Sequence, residues 1–211
     1  KVKGLTPGKQ YRYRVFAHEV LKHTGYKIIY GSYASTDVYY RKPLTFHTCN
    51  PQAPATSFVM VNDIHGDNKL LEDLMSRCNL TQTDFVLFNG DMLSFINSED
   101  QLFKGFMDTA VRLFASEIPM YYARGNHETR GVFATEIQRY FSPCQEHLYY
   151  AFRQGPVYCI VLDTGEDKPD SDIEYAGITQ YDLYRTEQSE WLASILESTE
   201  YKEAPFKIIV A

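Results

Sequence analysis

Three apolar segments that each run directly into a polar cluster constrain the fold of this chain more than any other feature. The segments occupy residues 58–61, 85–88 and 120–123, and patterns typical of helices separate them. Continuous apolar runs of this length, bounded by turn residues, are typical of buried parallel strands. Because ligands bind beyond the carboxyl ends of such strands, the polar clusters are expected to converge there. The pattern predicts an α/β domain with a functional site at one edge of its sheet.

The clusters contain five side chains of types that bind metal ions in proteins. The first cluster contributes Asp63 and His65, the second Asp91, and the third Asn126 and His127. Carboxylate, carboxamide and imidazole groups suit Zn, Mn or Fe. Taken singly, an Asp-x-His or a Gly-Asp is more often a turn or a cap. Because the same context recurs after each strand, we interpret the three clusters together as a dinuclear metal site.

Residues 1–48 do not look like the beginning of a domain. Residues 11–15 and 44–48 alternate apolar and polar side chains as half-buried strands do, and further extended segments are expected around 27–30 and 38–40. The arrangement Leu-x-Pro-Gly-x-x-Tyr-x-Tyr-x-Val resembles the later strands of a fibronectin type III-like sandwich, with Tyr11 at the corner-tyrosine position. A whole sandwich has about 100 residues, so only its C-terminal part is expected here.

A Pro-containing segment separates this part from the α/β domain. We place the linker at residues 49–56 and the N-terminal part of the second domain at 57–211. Apolar side chains at helical spacing predict core-facing helices after the first two clusters, with Leu70, Leu71, Leu74, Met75 and Cys78 on the first. Later segments are predicted as a helix (132–141), two hairpin strands (148–152 and 157–162), an irregular loop (163–184), a helix (186–196) and a strand (205–211).

Charge and composition narrow the classes of partner. The net charge of −6 disfavours nucleic acid and anionic membranes as main partners, and the apolar runs are too short to span a membrane. Four cysteines without CxxC spacing are interpreted as buried thiols in preference to disulfides (Cys49, Cys78, Cys144 and Cys159). The first residue is Lys, so absence of a signal peptide says little about location, and the oligomeric state stays open.

The three clusters also resemble the first signature motifs of a known family, the calcineurin-like metallophosphoesterases. The match spans about residues 57–211 and consists of Asp63-x-His65, Gly90-Asp91 and Gly125-Asn126-His127-Glu128. With the fibronectin-like part in front, the layout is similar to that of purple acid phosphatases and their bacterial relatives. The resemblance implies a two-sheet β-sandwich flanked by helices.

The family resemblance also implies roles for the five side chains. Asp63 and His65 would bind one metal ion, Asp91 would bridge two ions, and Asn126 would bind the second. His127 and Asn126 would contact the phosphate, and His127 would protonate or stabilise the leaving group. The function implied is hydrolysis of a phosphate mono- or diester through attack by a metal-bridging water, with Asp91 and His127 as catalytic residues.

Two departures from the family pattern limit this expectation. Purple acid phosphatases have a tyrosine ligand three residues after the bridging aspartate, where this chain has Ser94, so no tyrosinate-to-iron colour is expected. The family's later histidine motifs would follow Ala211, and we therefore expect a chain truncated at both ends. The 211-residue chain by itself would bind at most one metal ion well and would hydrolyse its substrate slowly.

A different class of function remains open. The alternative is a non-catalytic scaffold that kept part of the metal site, which the tyrosine-rich loops and the appended β-domain would also suit. Arg124 and Arg130 are candidate phosphate contacts, although a structural role is favoured for each. By analogy, the appended β-domain favours an exported protein.

Overall fold

The computed structural model describes residues 2–37, 42–141 and 147–211. Within these ranges the strands form two three-stranded sheets and two two-stranded sheets. The strands are β1 (Gln10–Tyr13), β2 (Phe16–Thr24), β3 (Lys27–Ser35), β4 (Leu44–His47), β5 (Phe58–Val61), β6 (Phe85–Asn89), β7 (Met120–Ala123), β8 (Tyr150–Gln154), β9 (Val157–Val161) and β10 (Phe206–Val210).

The helical elements lie mostly between the strands of the larger sheets. The α-helices are α1 (Asn68–Ser76), α2 (Glu99–Leu102), α3 (Asp108–Ala110), α4 (Gln138–Phe141), α5 (Tyr181–Leu196) and α6 (Thr199–Glu203). The π-helical segment Phe103–Met107 joins α2 to α3, and a second one, Val111–Ala115, follows α3, so residues 99–115 form one continuous helix. Short 3-10 turns occupy Leu80–Gln82, His127–Thr129, Ala134–Glu136 and Ile173–Tyr175.

The first large sheet contains β5, β6 and β7 in that order, and all three strands are parallel. Its central strand is buried on both faces, as the continuous apolar run predicts. Val86 and Phe88 point into the cluster formed with the helices after β5 and β6. Phe85 and Leu87 point to the opposite face, into a cluster shared with the second sheet. The predicted parallel strands are confirmed.

The second large sheet has the order β10-β9-β8, with β9 parallel to β10 and antiparallel to β8. Val157, Cys159 and Val161 of β9 face the first sheet. Tyr158 and Ile160 alternate with them and pack against α5 and α6. The result is a two-sheet sandwich with helices on both outer faces, which confirms the predicted fold class.

The N-terminal strands form two antiparallel pairs, β1 with β4 and β2 with β3. The Thr6 amide donates a hydrogen bond to the Tyr11 hydroxyl over 2.7 Å, which is the type of bond that a corner tyrosine makes. The fibronectin-like assignment and the domain boundaries nevertheless stay predictions. The Thr45 amide and hydroxyl each donate to Glu117 Oε1 at 2.9 Å, which ties β4 to the end of the 99–115 helix.

Several local predictions need adjustment. Helix α5 begins at Tyr181, five residues before the predicted start, and residues 132–141 form a 3-10 turn and the short α4 instead of one helix. Leu70 and Leu74 are exposed, so only part of the predicted α1 stripe is core. The cysteines at 49, 78 and 159 are free but only Cys159 is buried. Cys144 and the segment at 38–40 lie outside the described residues. None of the described helices combines the length and hydropathy that a membrane-spanning segment requires.

Candidate metal centre

The loops that follow β5 and β6 are joined to each other through the backbone. The Asp63 amide donates to the Gly90 carbonyl at 3.2 Å, and the His65 amide donates to the Asp91 carbonyl at 3.0 Å. These bonds continue the pairing of the two strands beyond their carboxyl ends. The side chains of the first two clusters are therefore brought next to each other by the same sheet that organises the core.

Three of the predicted site residues have a left-handed backbone. The φ angles are 56° at Asp63, 51° at His65 and 54° at Asp91. Non-glycine residues rarely adopt this conformation, which costs on the order of 1–3 kcal/mol per residue and concentrates at functional sites. The conformation turns the chain sharply after each strand, so the side chains at these positions project toward the common edge of the sheet.

Glycines allow the third loop to approach the second. A Cβ atom on Gly125 would lie 2.2 Å from Oδ1 of Asp91, and one on Gly90 would lie 2.7 Å from the Gly125 Cα. No other residue type fits at Gly125 without moving the Asp91 carboxylate. The His127 amide donates to the same Asp91 oxygen at 3.2 Å, which fixes the carboxylate relative to the third cluster.

A buried carboxylate holds the loops in place. Glu128 is fully buried, and its Oε2 accepts hydrogen bonds from the amides of Asp91 (3.0 Å) and Gly125 (3.1 Å). Its Oε1 accepts one from the Leu93 amide at 2.9 Å. Burial raises the pKa of Glu128, and the backbone bonds oppose that rise. One side chain thus fixes the backbone on both sides of the site.

The metal-binding atoms of three residues lie together. His65, Asp91 and His127 each offer a ligand atom within 4.8 Å of the other two. The two imidazole rings meet edge to face with centroids 4.8 Å apart, and His65 Nε2 lies 3.8 Å from Asp63 Oδ1. Asp63 joins this group through His65, so four of the five predicted residues lie together.

The fifth residue lies in an adjoining cleft. A cavity of about 290 Å³ is lined by Asp63, Asp91 and Asn126, together with Asn89 and Ala211. The Asn89 Oδ1 atom is buried and accepts no hydrogen bond from any described residue. The end of β10 opens into the same cleft, as expected of a neighbouring strand in this architecture.

Both arginines near the cleft are already held by buried carboxylates. Arg124 forms an ion pair with Asp163 through Nε (3.1 Å) and an NH2 group (2.9 Å). Arg130 forms a bidentate pair with Glu166 at 2.7 and 2.9 Å. Among the described residues, Asp91 has no lysine or arginine partner. The charge of Arg130 still acts on Asp91, but no ion pair with a residue of the described ranges occupies the Asp91 carboxylate, which leaves it able to bind a cation.

The Arg130–Glu166 pair continues to the third cluster. An Arg130 NH1 group lies 3.3 Å from His127 Nδ1, and the Thr129 hydroxyl donates to Glu166 at 3.0 Å. The hydrogen bond from Arg130 is the main cause of a lowered Glu166 pKa, to which the Asn126 side chain also contributes. The loop after β9 thus supports the residues after β7, a contact that the sequence prediction did not include.

The structure brings together all five residues that the sequence singles out, and their roles in metal or substrate binding stay predictions. Sequence reasoning missed Glu128, Glu166 and the contacts of Ser94 described below. Glu128 belongs to the Gly-Asn-His-Glu motif, so a signal for it was present. Nothing in the sequence pairs Glu166 with Arg130, because they lie 36 residues apart.

Comparisons with known proteins agree with this architecture. A sequence model of the calcineurin-like phosphoesterase family matches residues 56–211. Among solved structures, a purple acid phosphatase from yellow lupin (Lupinus luteus) seeds matches with a TM-score of 0.67 and 17% identity. The match covers 99% of this chain and 37% of that one, so the chain spans little more than a third of its length. No curated protein matches the sequence.

Proposed function

Because the chain belongs to the calcineurin-like phosphoesterase family, we propose that it acts as a metal-dependent phosphoesterase on a phosphate mono- or diester. The observation that carries the proposal is the convergence of Asp63, His65, Asp91, Asn126 and His127 at the ends of three parallel strands. The site combines oxygen and imidazole donors, as the family chemistry requires. We propose only the class of substrate, because many phosphate esters would fit the same metal-binding side chains.

The donor set would hold one metal ion well and would supply part of the ligands of a second. Asp63 and His65 would hold one ion, Asp91 would be shared, and Asn126 would hold the second. The Asp91 carboxylate is fixed by the His127 amide and the close Gly125 backbone, so it is already oriented before any ion binds. Asn89, which also lines the cleft, has a buried side-chain oxygen without a hydrogen-bond partner among the described residues. When bound, the ions would supply Lewis acidity, lower the pKa of water and clamp phosphoryl oxygens.

The residues of the third cluster would act on the substrate. Asn126 lines the cleft and would orient the phosphate through its carboxamide. His127 lies beside Asp91, where its imidazole would donate a proton to the leaving oxygen or stabilise its charge. Arg130, itself held by Glu166, contacts the Nδ1 atom of the His127 ring. Such support is what a proton donor needs to stay aligned with the bond that breaks.

The test measures metal content and hydrolysis of an aryl phosphate monoester and diester. If the natural protein is longer, the longer protein should be assayed beside the 211-residue chain. We expect Asp91→Ala to lose metal and hydrolysis together, because the shared carboxylate is removed. Asp73→Asn, which changes an exposed acid on α1, is the matched control and should leave both unchanged.

A second variant separates proton transfer from metal binding. We expect His127→Gln to keep its metal and lose about 100- to 10,000-fold in kcat, the usual contribution of general acid catalysis. Loss of metal in this variant would instead make His127 a ligand, as its place beside His65 and Asp91 allows. Full activity of Asp91→Ala would contradict the proposed function. Tight metal binding without hydrolysis of any ester would favour the scaffold alternative.

A further inference from the structure

Ser94 contacts both histidines of the site. Its hydroxyl oxygen lies 3.1 Å from His65 Nδ1, and its carbonyl oxygen lies 3.1 Å from His127 Nδ1. The two histidines come from different loops, one after β5 and one after β7, and Ser94 comes from the loop after β6 between them. A single residue thus contacts the same ring atom of both imidazoles.

The contact with His65 matters for which nitrogen is free to bind a cation. A neutral imidazole carries its proton on one nitrogen and a lone pair on the other. His65 Nε2 is the nitrogen that faces Asp63 Oδ1, at 3.8 Å. For Nε2 to offer its lone pair, the proton must lie on Nδ1 and needs an acceptor there. In the described structure, the Ser94 hydroxyl is the acceptor within reach.

The position of Ser94 is itself held by the site. The preceding residue, Leu93, donates its amide to the buried Glu128 at 2.9 Å. Ser94 and His65 also line an open cavity of about 500 Å³. The residue is therefore fixed through its backbone, whereas its side chain borders open space. This allows the hydroxyl to be tested without forcing a larger residue into the core.

We propose that Ser94 is a positioning residue of the metal site. Its hydroxyl accepts the Nδ1 proton of His65 and leaves Nε2 for the cation, and its carbonyl accepts a proton from His127 Nδ1 and orients that ring. The inference rests on the proposed function, since it assigns metal binding to His65. Acceptors of this kind orient histidine ligands, and their loss typically costs about 10- to 100-fold in metal affinity.

Arg130 competes for one of the two contacts. Its guanidinium can only donate hydrogen bonds, and it lies 3.3 Å from His127 Nδ1. Arg130 therefore disfavours a proton on His127 Nδ1, whereas the Ser94 carbonyl favours one. No comparable donor from the described residues faces His65 Nδ1. The hydroxyl of Ser94 should consequently matter for His65, whereas His127 should respond only to changes of the backbone.

The test compares Ser94→Ala with the matched pair Ser94→Thr and Ser94→Val, which have the same shape but carry a hydroxyl in Thr and a methyl group in Val. Titration calorimetry with Mn²⁺ or Zn²⁺ should show affinity about 10- to 100-fold lower for Ala and Val, and near the unsubstituted value for Thr. In the metal-free protein at about pH 8, where free imidazole is neutral, the His65 Nδ1 nitrogen-15 shift should change in Ser94→Ala. The shift of His127 should stay the same.

Several outcomes would overturn the inference. Unchanged His65 resonances in Ser94→Ala would show that the hydroxyl does not act on that ring. Equal metal affinity for Ser94→Thr and Ser94→Val would assign any loss to packing. Absence of metal binding by the unsubstituted protein would contradict the proposed function instead, and the nitrogen-15 comparison would still decide whether Ser94 orients His65.

Discussion

The loops that follow β5, β6 and β7 and the β2–β3 hairpin both depart from the usual rule that apolar side chains are buried and polar ones exposed. They depart from it in opposite ways. In the loops, polar groups are buried and bonded, as in Glu128 with its three backbone donors. In the hairpin every residue of both strands is exposed, and many of them are large and apolar, including Phe16, Val20, Leu21, Ile28 and Tyr30. One region has polar groups inside the fold and the other has apolar groups outside it.

The difference shows what stabilises each region. The loops depend on the layers beneath them, because the sandwich aligns the three strands and the loops follow. The hairpin depends on its own strand pairing and on local bonds such as those from the Ser32 amide and hydroxyl to Glu19 Oε2 (3.0 and 2.8 Å). A two-stranded hairpin of this kind is marginally stable in water. Substitutions should therefore have very different effects on the two regions.

The largest expected effect comes from breaking the buried ion pair beside the site. Arg124→Ala should lower the free energy of unfolding by about 3–5 kcal/mol, because it leaves the fully buried Asp163 without its counter-ion. Arg139→Ala removes an arginine from an exposed pair with Glu136 and should change stability by less than about 1 kcal/mol. Urea unfolding of both variants measures the difference. Equal losses would show that the Arg124 pair is not effectively buried.

A matched pair of leucines compares the two regions directly. Leu87→Ala in β6 should cost about 2–5 kcal/mol, because the side chain is 1% exposed between the two large sheets. Leu21→Ala in β2, where the leucine is 61% exposed, should stay within about 0.5 kcal/mol. Thermal and urea unfolding of each variant test this. A large cost at Leu21 would mean that the hairpin face is covered in solution.

The third-largest expected effect comes from replacing Glu128, the buried hydrogen-bond acceptor of these loops. Glu128→Gln should cost about 1–3 kcal/mol, because the amide group places a donor against at least one of the three backbone donors. The same variant should weaken metal binding, since the Asp91 backbone loses its fixed position. Glu190→Gln changes an exposed acid on α5 and serves as the control. Metal titration and urea unfolding are measured on the same samples. Lower stability with unchanged metal affinity would contradict a role of Glu128 in the metal site.

The smallest expected effect depends on pH. The hydrogen bond from Arg130 lowers the pKa of Glu166 below its ordinary value of 4.5 in spite of burial. A carboxylate with a depressed pKa in the folded state stabilises the protein above that ordinary value, and the contribution is lost as pH falls through the folded-state pKa. The stability difference between the unsubstituted protein and Glu166→Gln should therefore be constant near neutral pH and shrink below about pH 4.5. A difference that grows on acidification would contradict this.

Sequence reasoning succeeded where the pattern is local. The strands β5, β6 and β7 were predictable because their apolar runs lack alternation, which indicates burial on both faces. The convergence of Asp63, Asp91 and Asn126 followed from the position of each cluster after a parallel strand. In both cases the physical cause lies within a few residues of the feature, so one sequence suffices.

Prediction failed where the cause is distant in the chain. Helix α5 begins early because the Asp170 carboxylate accepts the amides of Tyr181 and Asp182 at 2.9 Å each, in place of a local cap. Glu128 acts on the Asp91 and Leu93 amides, which lie 37 and 35 residues away. Such contacts exist only after the sheets have formed, and no spacing rule in the sequence identifies them.

The left-handed backbone at Asp63, His65 and Asp91 restricts which amino acids these positions can accept. Bulky and β-branched residues are excluded there on steric grounds, whereas Asp, Asn, His and Gly are tolerated. Apart from glycine, the tolerated residues are short side chains with an oxygen or nitrogen donor. The substitutions tolerated at these positions are therefore mostly residues that can still bind a cation. The backbone conformation of the turns thus preserves the metal-binding side chains of the site.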